Sequence, residues 1–251
     1  KYGPLDGAIY AHPAESGDGL SEVKMASNGL LEFRIAVQGK PPASTDPHQA
    51  IFSKSAISAI DKAQYIYNEL TKWAEDMDSQ YTNPGLEKLA DQSFALALGK
   101  FEAGAENEVY EIPTECSLTG TICFPPEAQL ELVQDQFEEA FDKIAENDSW
   151  LKDSHANFQW GDLIAESIQA EEDSEFLELA SKTLTELKGK EPEYYYGHSA
   201  SDIRYPMLFW GAQAFGVGPV AGDIGKESEW VEKEEYLETI TAIACMLANL
   251  T

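Results

Sequence analysis

Positive charge is scarce in this chain. Its 251 residues hold 17 Lys and Arg against 45 Asp and Glu, a formal net charge of −28, and the only arginines are Arg34 and Arg204. Phosphate backbones and anionic bilayers would meet strong like-charge repulsion, which argues against nucleic acid or membrane as a partner. The surplus reads as a device for solubility, with self-repulsion screened over short distances at high salt. Long apolar runs are also missing, since none approaches the roughly 20 residues that a membrane-spanning helix needs. The opening Lys1-Tyr2-Gly3-Pro4-Leu5-Asp6 has no apolar stretch behind its charge, so it is not a signal peptide, and without Met it reads as the middle of a domain. Cysteine is sparse: Cys116, Cys123 and Cys245 form no Cys-x-x-Cys pair. Cys116 and Cys123 fall in one strand-like segment with side chains on opposite faces, so free thiols in a reducing cytoplasm are expected. Gly-x-Ser-x-Gly, phosphate-loop and His-Glu-x-x-His motifs are all absent.

What is present is a folded composition, 43% apolar with 11% aromatic. Leu31, Phe33, Ile35 and Val37 alternate with polar neighbours and predict a half-buried strand. Ile57, Ile60, Ala63, Ile66, Leu70 and Trp73 recur at helical spacing. Asn83-Pro84-Gly85 marks a turn. Strands follow over 94–99 and 116–124, then a helix striped by Leu130, Val133, Phe137 and Ile144 after Pro125-Pro126, then a strand over 155–160. The order β-α-β-β-α-β over 29–165 is that of a ferredoxin-like unit, an antiparallel sheet with two helices on one face. The flanks, 1–28 and 166–251, hold too few elements to fold separately. They are expected to pack together as part of one α/β layer, into which the ferredoxin-like unit is inserted. Tyr194-Tyr195-Tyr196 reads as a packed aromatic turn, and Glu227 to Glu235 as a solvated helix entrance with Glu229 holding the helix start.

Four short stretches carry possible chemistry. Ala8-Ile9-Tyr10-Ala11 is a strand ending in His12-Pro13; a side chain there points into the crevice where α/β sheets bind ligands. Gly39-Lys40-Pro41-Pro42-Ala43 closes the 31–37 strand, with His48 five residues on. Ser201-Asp202-Ile203-Arg204 sets one of two arginines on a polar turn, and a planar guanidinium suits a carboxylate. Gly218-Pro219 leads through an acidic loop to Glu229-Trp230-Val231. The plain readings are a loop histidine at His12, a salt bridge at Arg204, and an exposed or supporting residue at His198.

This order of motifs resembles the zinc-dependent amidohydrolase and peptidase family of acetylornithine deacetylase, succinyl-diaminopimelate desuccinylase, aminoacylase and carboxypeptidase G. The resemblance implies a catalytic α/β domain interrupted by a ferredoxin-like lid that forms a homodimer. It implies that His12 is a zinc ligand, and that Ser201, Asp202 and Arg204 form the substrate-binding turn, with Arg204 pairing with the carboxylate of a small substrate and Asp202 orienting the turn or Arg204. Ala43 stands where the family has an oxyanion-stabilising histidine, and Gly225 where it has a metal-binding one. Asp223 and Glu227 are the nearest carboxylates that could substitute at the metal. The family's His-x-Asp motif and Glu-Glu pair, which supply the first ligands and the general base, would lie N-terminal to Lys1. The implied activity is hydrolysis of an N-acyl amino acid or small peptide. The alternative is a degenerate or split non-catalytic relative that binds a small carboxylate or a partner subunit.

Overall fold

The computed structural model describes residues 5–43, 54–104, 111–199 and 201–250, and the chain divides into two compact units. One unit comprises Leu30–Thr82 and Gln92–Ala165; the other comprises Lys1–Gly29, Asn83–Asp91 and Glu166–Thr251. Asn83–Asp91 groups with the two flanking segments. There Asn83-Pro84-Gly85 opens a short helix, Pro84–Ala90, rather than a simple turn: the Asn83 side chain accepts from the Leu86 amide at 3.0 Å, with proline in the first turn.

The inserted unit has the expected ferredoxin-like layout. Its four strands, Gly29–Gln38, Ala95–Ala103, Glu115–Phe124 and Ala156–Ala165, form one sheet. Gly29–Gln38 and Glu115–Phe124 lie in the middle, with Ala156–Ala165 and Ala95–Ala103 at the edges. Each edge strand pairs antiparallel with its neighbour. Strict alternation gives the sheet one apolar face, where Leu31, Phe33, Ile35, Val37, Leu118, Ile122 and Phe124 are buried. Two helices cover it. Ala59–Gln80 is capped by Ser58, whose side chain accepts from the Asp61 amide, and it buries Ala63, Ile66 and Leu70. Leu130–Asn147 buries Val133, Phe137, Phe141 and Ile144. It begins at Leu130, not at the prolines, because Pro125 instead closes a turn by accepting from the Ala128 amide.

All three cysteines are free. Cys116 is buried, and burial raises its thiol pKa to about 11. Maleimide labelling of the native protein, read by peptide mass mapping, should therefore spare Cys116 until denaturant is added. Rapid native labelling at Cys116 would contradict the packing of this sheet.

The second unit is built on a four-stranded sheet in the order Gly7–Ala11, Gln213–Val217, Glu22–Lys24, Glu193–Tyr195. Gly7–Ala11 and Gln213–Val217 run parallel, so segments far apart in sequence form one layer, as expected of the flanks. Ile9, Val23, Tyr194, Phe215 and Val217 belong to an apolar cluster with Leu177, Ala180 and Leu184 of the Glu175–Lys188 helix and Ala242 and Met246 of the Lys233–Ala248 helix. Tyr194 and Tyr195 therefore lie in the Glu193–Tyr195 strand rather than in a turn, with Tyr196 just past its end. The final helix is capped by Glu232, which accepts from the Glu234 and Glu235 amides, so Glu229 does not hold its start. Among the described residues no helix is long and apolar enough to cross a membrane.

Candidate metal centre

The sheet of the second unit has a polar side. Tyr10 pairs with Gly216, Gly216 with Lys24, and Lys24 with Tyr195, so these residues share a row across the strands. They face away from the apolar cluster that holds Ile9, Phe215 and Val23. His12 follows Tyr10 by two residues, on the same side, at the C-terminal end of a parallel pair. Its amide donates to the Val217 carbonyl at 3.1 Å. Gly218 makes that approach possible, because a Cβ there would lie 1.9 Å from the His12 carbonyl oxygen.

Around His12 the chain gathers two further donors. Glu15, His12 and His198 each offer one ligand atom within 4.8 Å of the others, the one such group among the described residues. His198 is buried, at 5% exposure, so the sequence reading of an exposed residue does not hold. Its Nδ1 hydrogen-bonds the Glu15 carboxylate, and its Nε2 is buried without a hydrogen-bond partner. The His12 Nδ1 bonds the Pro13 carbonyl at 3.0 Å. The His12 ring stacks on Tyr10 at 5.2 Å and lies 4.8 Å from the His198 ring.

Electrostatics favour metal-competent protonation states. Burial lowers the His12 pKa, helped by the positive fields of His198 and Lys24, which keeps the imidazole neutral. Burial alone would raise the Glu15 pKa, but its hydrogen bond to His198 and the charges of His198 and Lys24 outweigh that and lower it. A neutral His12 imidazole, the His198 imidazole and an ionised carboxylate form a donor set that zinc accepts. The unpartnered His198 Nε2 fits the same use. The residues present thus fit one metal ion.

Behind this group lies a buried ion pair. The Lys24 ammonium sits 2.6 Å from the Glu22 carboxylate, with side chains 0% and 3% exposed. Glu22 also accepts from the Glu15 and Ser16 amides at 3.3 and 2.8 Å. It thereby fixes the loop that carries Glu15 to His198.

The Ser201-Asp202-Ile203-Arg204 turn adjoins the group through Ser201, whose side chain offsets part of the rise that burial gives the Tyr10 hydroxyl pKa. The Ser201 amide donates to the Ser27 hydroxyl at 2.8 Å, and the turn opens the Arg204–Trp210 helix. Arg204 is 8% exposed, and its Nη1 has no hydrogen-bond partner. Its Nη2 donates to the Tyr205 hydroxyl at 3.2 Å, and no carboxylate pairs with it among the described residues. The salt bridge expected on the plain reading is therefore not formed. Asp202 is exposed and caps the turn with its carbonyl, which accepts from the Tyr205 amide.

The acidic loop stays apart from this chemistry. Asp223 accepts from Lys226 and Ser228, Glu229 accepts from the Gly225 amide, and Glu227 is exposed. Neither Asp223 nor Glu227 joins the donor group, because the loop satisfies itself. Gly225 has φ +78°, a left-handed backbone that disfavours any side chain, so a histidine there would be strained. Ala43 is exposed, and His48 lies outside the described residues.

Sequence reading missed Glu15 and undervalued His198. The available signals were an acid three residues after His12 and the rarity of histidine, four in the chain. Neither reveals that Glu15 and His198 meet across 183 residues.

Comparisons agree with this architecture. Residues 25–149 match the family model for the M20-type peptidase dimerisation domain. Most of the chain superposes on parts of longer solved structures. Aminopeptidase PepT from Bacillus cereus matches with a TM-score of 0.67 at 13% identity, covering 96% of this chain and 56% of that one. The M20 family metallo-carboxypeptidase Sso-CP2 from Sulfolobus solfataricus matches with a TM-score of 0.67 at 12% identity, covering 96% and 63%. The Bacillus subtilis YXEP protein, described as a dinuclear metal-binding peptidase of the M20 family, gives 0.53 at 15% identity, covering 95% and 55%. No curated protein matches by sequence. Residues 25–149 are thus similar to the peptidase dimerisation domain, and the chain shares the fold of these solved peptidase structures. It spans less than two thirds of the length of these solved structures.

Proposed function

We propose that this chain is part of a metal-dependent hydrolase that cleaves an N-acyl amino acid or small peptide. The observation that carries the reading is His12, at the carboxyl end of a parallel strand pair, with Glu15 and His198 offering donors within 4.8 Å. His12 would hold the metal, zinc by its donor set. A bound metal supplies Lewis-acid activation of water and of the scissile carbonyl. Arg204 would pair with the substrate carboxylate through its unpartnered Nη1. Because the chain spans only part of the length of its structural neighbours, the remaining ligands and the general base are assigned to sequence N-terminal to Lys1. Dimerisation through the inserted unit belongs to the same proposal, supported by the family of residues 25–149. A reducing, cytoplasmic setting suits the three free thiols.

Elemental analysis of the intact purified protein, with hydrolysis assays on N-acyl amino acids, tests the reading. Bound zinc that is lost in His12→Ala is expected. Arg204→Lys should raise KM for carboxylate-bearing substrates about 10- to 100-fold, because one amine cannot reproduce the bidentate fork. Absence of metal from the wild-type protein would sink it.

A further inference from the structure

We propose that His198 is a metal ligand through Nε2, held in place by Glu15, and that it does what the glycine at position 225 cannot. The inference rests on the metal-dependent reading above and assigns roles that the motif pattern does not supply.

The tautomers carry the argument. A carboxylate only accepts hydrogen bonds, so the Nδ1 of His198 facing Glu15 bears a proton, which leaves Nε2 as the ring nitrogen open to a metal. A backbone carbonyl likewise only accepts, so His12 also protonates Nδ1, at Pro13, and frees Nε2. Metal-bound histidines commonly show this pattern, with the far ring nitrogen donating to a carboxylate or carbonyl. The two rings lie 4.8 Å apart and are tilted by 55°. One ring nitrogen of each histidine and a Glu15 oxygen lie within 4.8 Å of one another.

The burial of His198 points the same way. Leaving a buried polar nitrogen unpaired costs about 1–3 kcal/mol, so an unpartnered Nε2 needs a use. The backbone under it is fixed. Its carbonyl accepts from the Asn28 amide at 2.8 Å, Ser199 bridges Asn28, and the Ser201 amide bonds Ser27. A ligand held on so constrained a support is pre-organised. Glu15 keeps solvent access, with 25% of its side chain exposed, and acts here by orienting the imidazole.

Zinc affinity by calorimetry and the visible spectrum of the cobalt(II) form, measured on the intact protein after chelation, test the assignment. His198→Ala should lose at least 100-fold in zinc affinity and alter the cobalt spectrum. Glu15→Gln should lose about 10- to 100-fold and keep the shape of the spectrum. Circular dichroism checks that each variant is folded. Should His198→Ala not fold, long-range proton–nitrogen NMR of the wild-type imidazoles gives the answer without mutation: zinc must shift the His198 Nε2 and leave Nδ1 protonated. Wild-type affinity in folded His198→Ala, alongside lost binding in His12→Ala, would overturn the assignment and leave the hydrolase reading standing. No zinc binding by the wild type would remove both.

Discussion

Glu22→Leu should destabilise the protein by about 3–5 kcal/mol, and Lys24→Met by clearly less. The Lys24 ammonium is fully buried, with Glu22 as its ion-pair partner. Losing the carboxylate strands that charge in a medium where an isolated ion is costly. The reverse deletion is milder, because Glu22 retains the Glu15 and Ser16 amides as donors. The double variant Glu22→Leu/Lys24→Met should recover part of the loss, since replacing both ions removes the unpaired charge. Urea titrations with unchanged slope would give these values. Equal costs for the two single variants would refute the proposed asymmetry. Glu22→Leu should also weaken zinc binding, because the loop that presents Glu15 to His198 hangs on that carboxylate.

Gly218→Ala should be nearly as damaging, although it adds one methyl group. The new Cβ would fall 1.9 Å from the His12 carbonyl oxygen and 2.4 Å from its carbon, both backbone atoms that cannot rotate aside. Relief requires the ends of the Gly7–Ala11 and Gln213–Val217 strands to part, which breaks the His12 to Val217 hydrogen bond. Overpacking of this kind costs about 1–3 kcal/mol. The larger effect should be on zinc affinity, because His12 is carried outward with its backbone. Thermal melting and zinc calorimetry on the same sample separate the two, and a variant with normal zinc affinity would show that this contact does not set the position of His12.

The inserted unit was legible because its elements are long. Ten residues alternate cleanly in Gly29–Gln38, and Ala59–Gln80 repeats its buried stripe over several turns. Glu22–Lys24 and Glu193–Tyr195 span only three residues each, too few for a period to register. Lys24 hid the first of them, since a lysine between Val23 and Met25 reads as solvent-facing although it is wholly buried. His12 was legible from its place after a strand. Its neighbours were not, because Glu15 comes from a loop without periodicity and His198 approaches from the far end of the chain. The acidic loop misled for the opposite reason: Asp223 and Glu227 are near the right motif in sequence, but Asp223 is held by Lys226 and Ser228 within the loop and Glu227 is exposed.

The two-sidedness of the Gly7–Ala11 sheet has an evolutionary consequence. Folding is secured on the side of Ile9, Phe215 and Val217, while donors sit on the side of Tyr10 and His12. Substitutions at Tyr10 and His12 therefore leave the apolar core on the other side in place. A lineage could lose a ligand at one loop and recruit another elsewhere without passing through an unfolded ancestor.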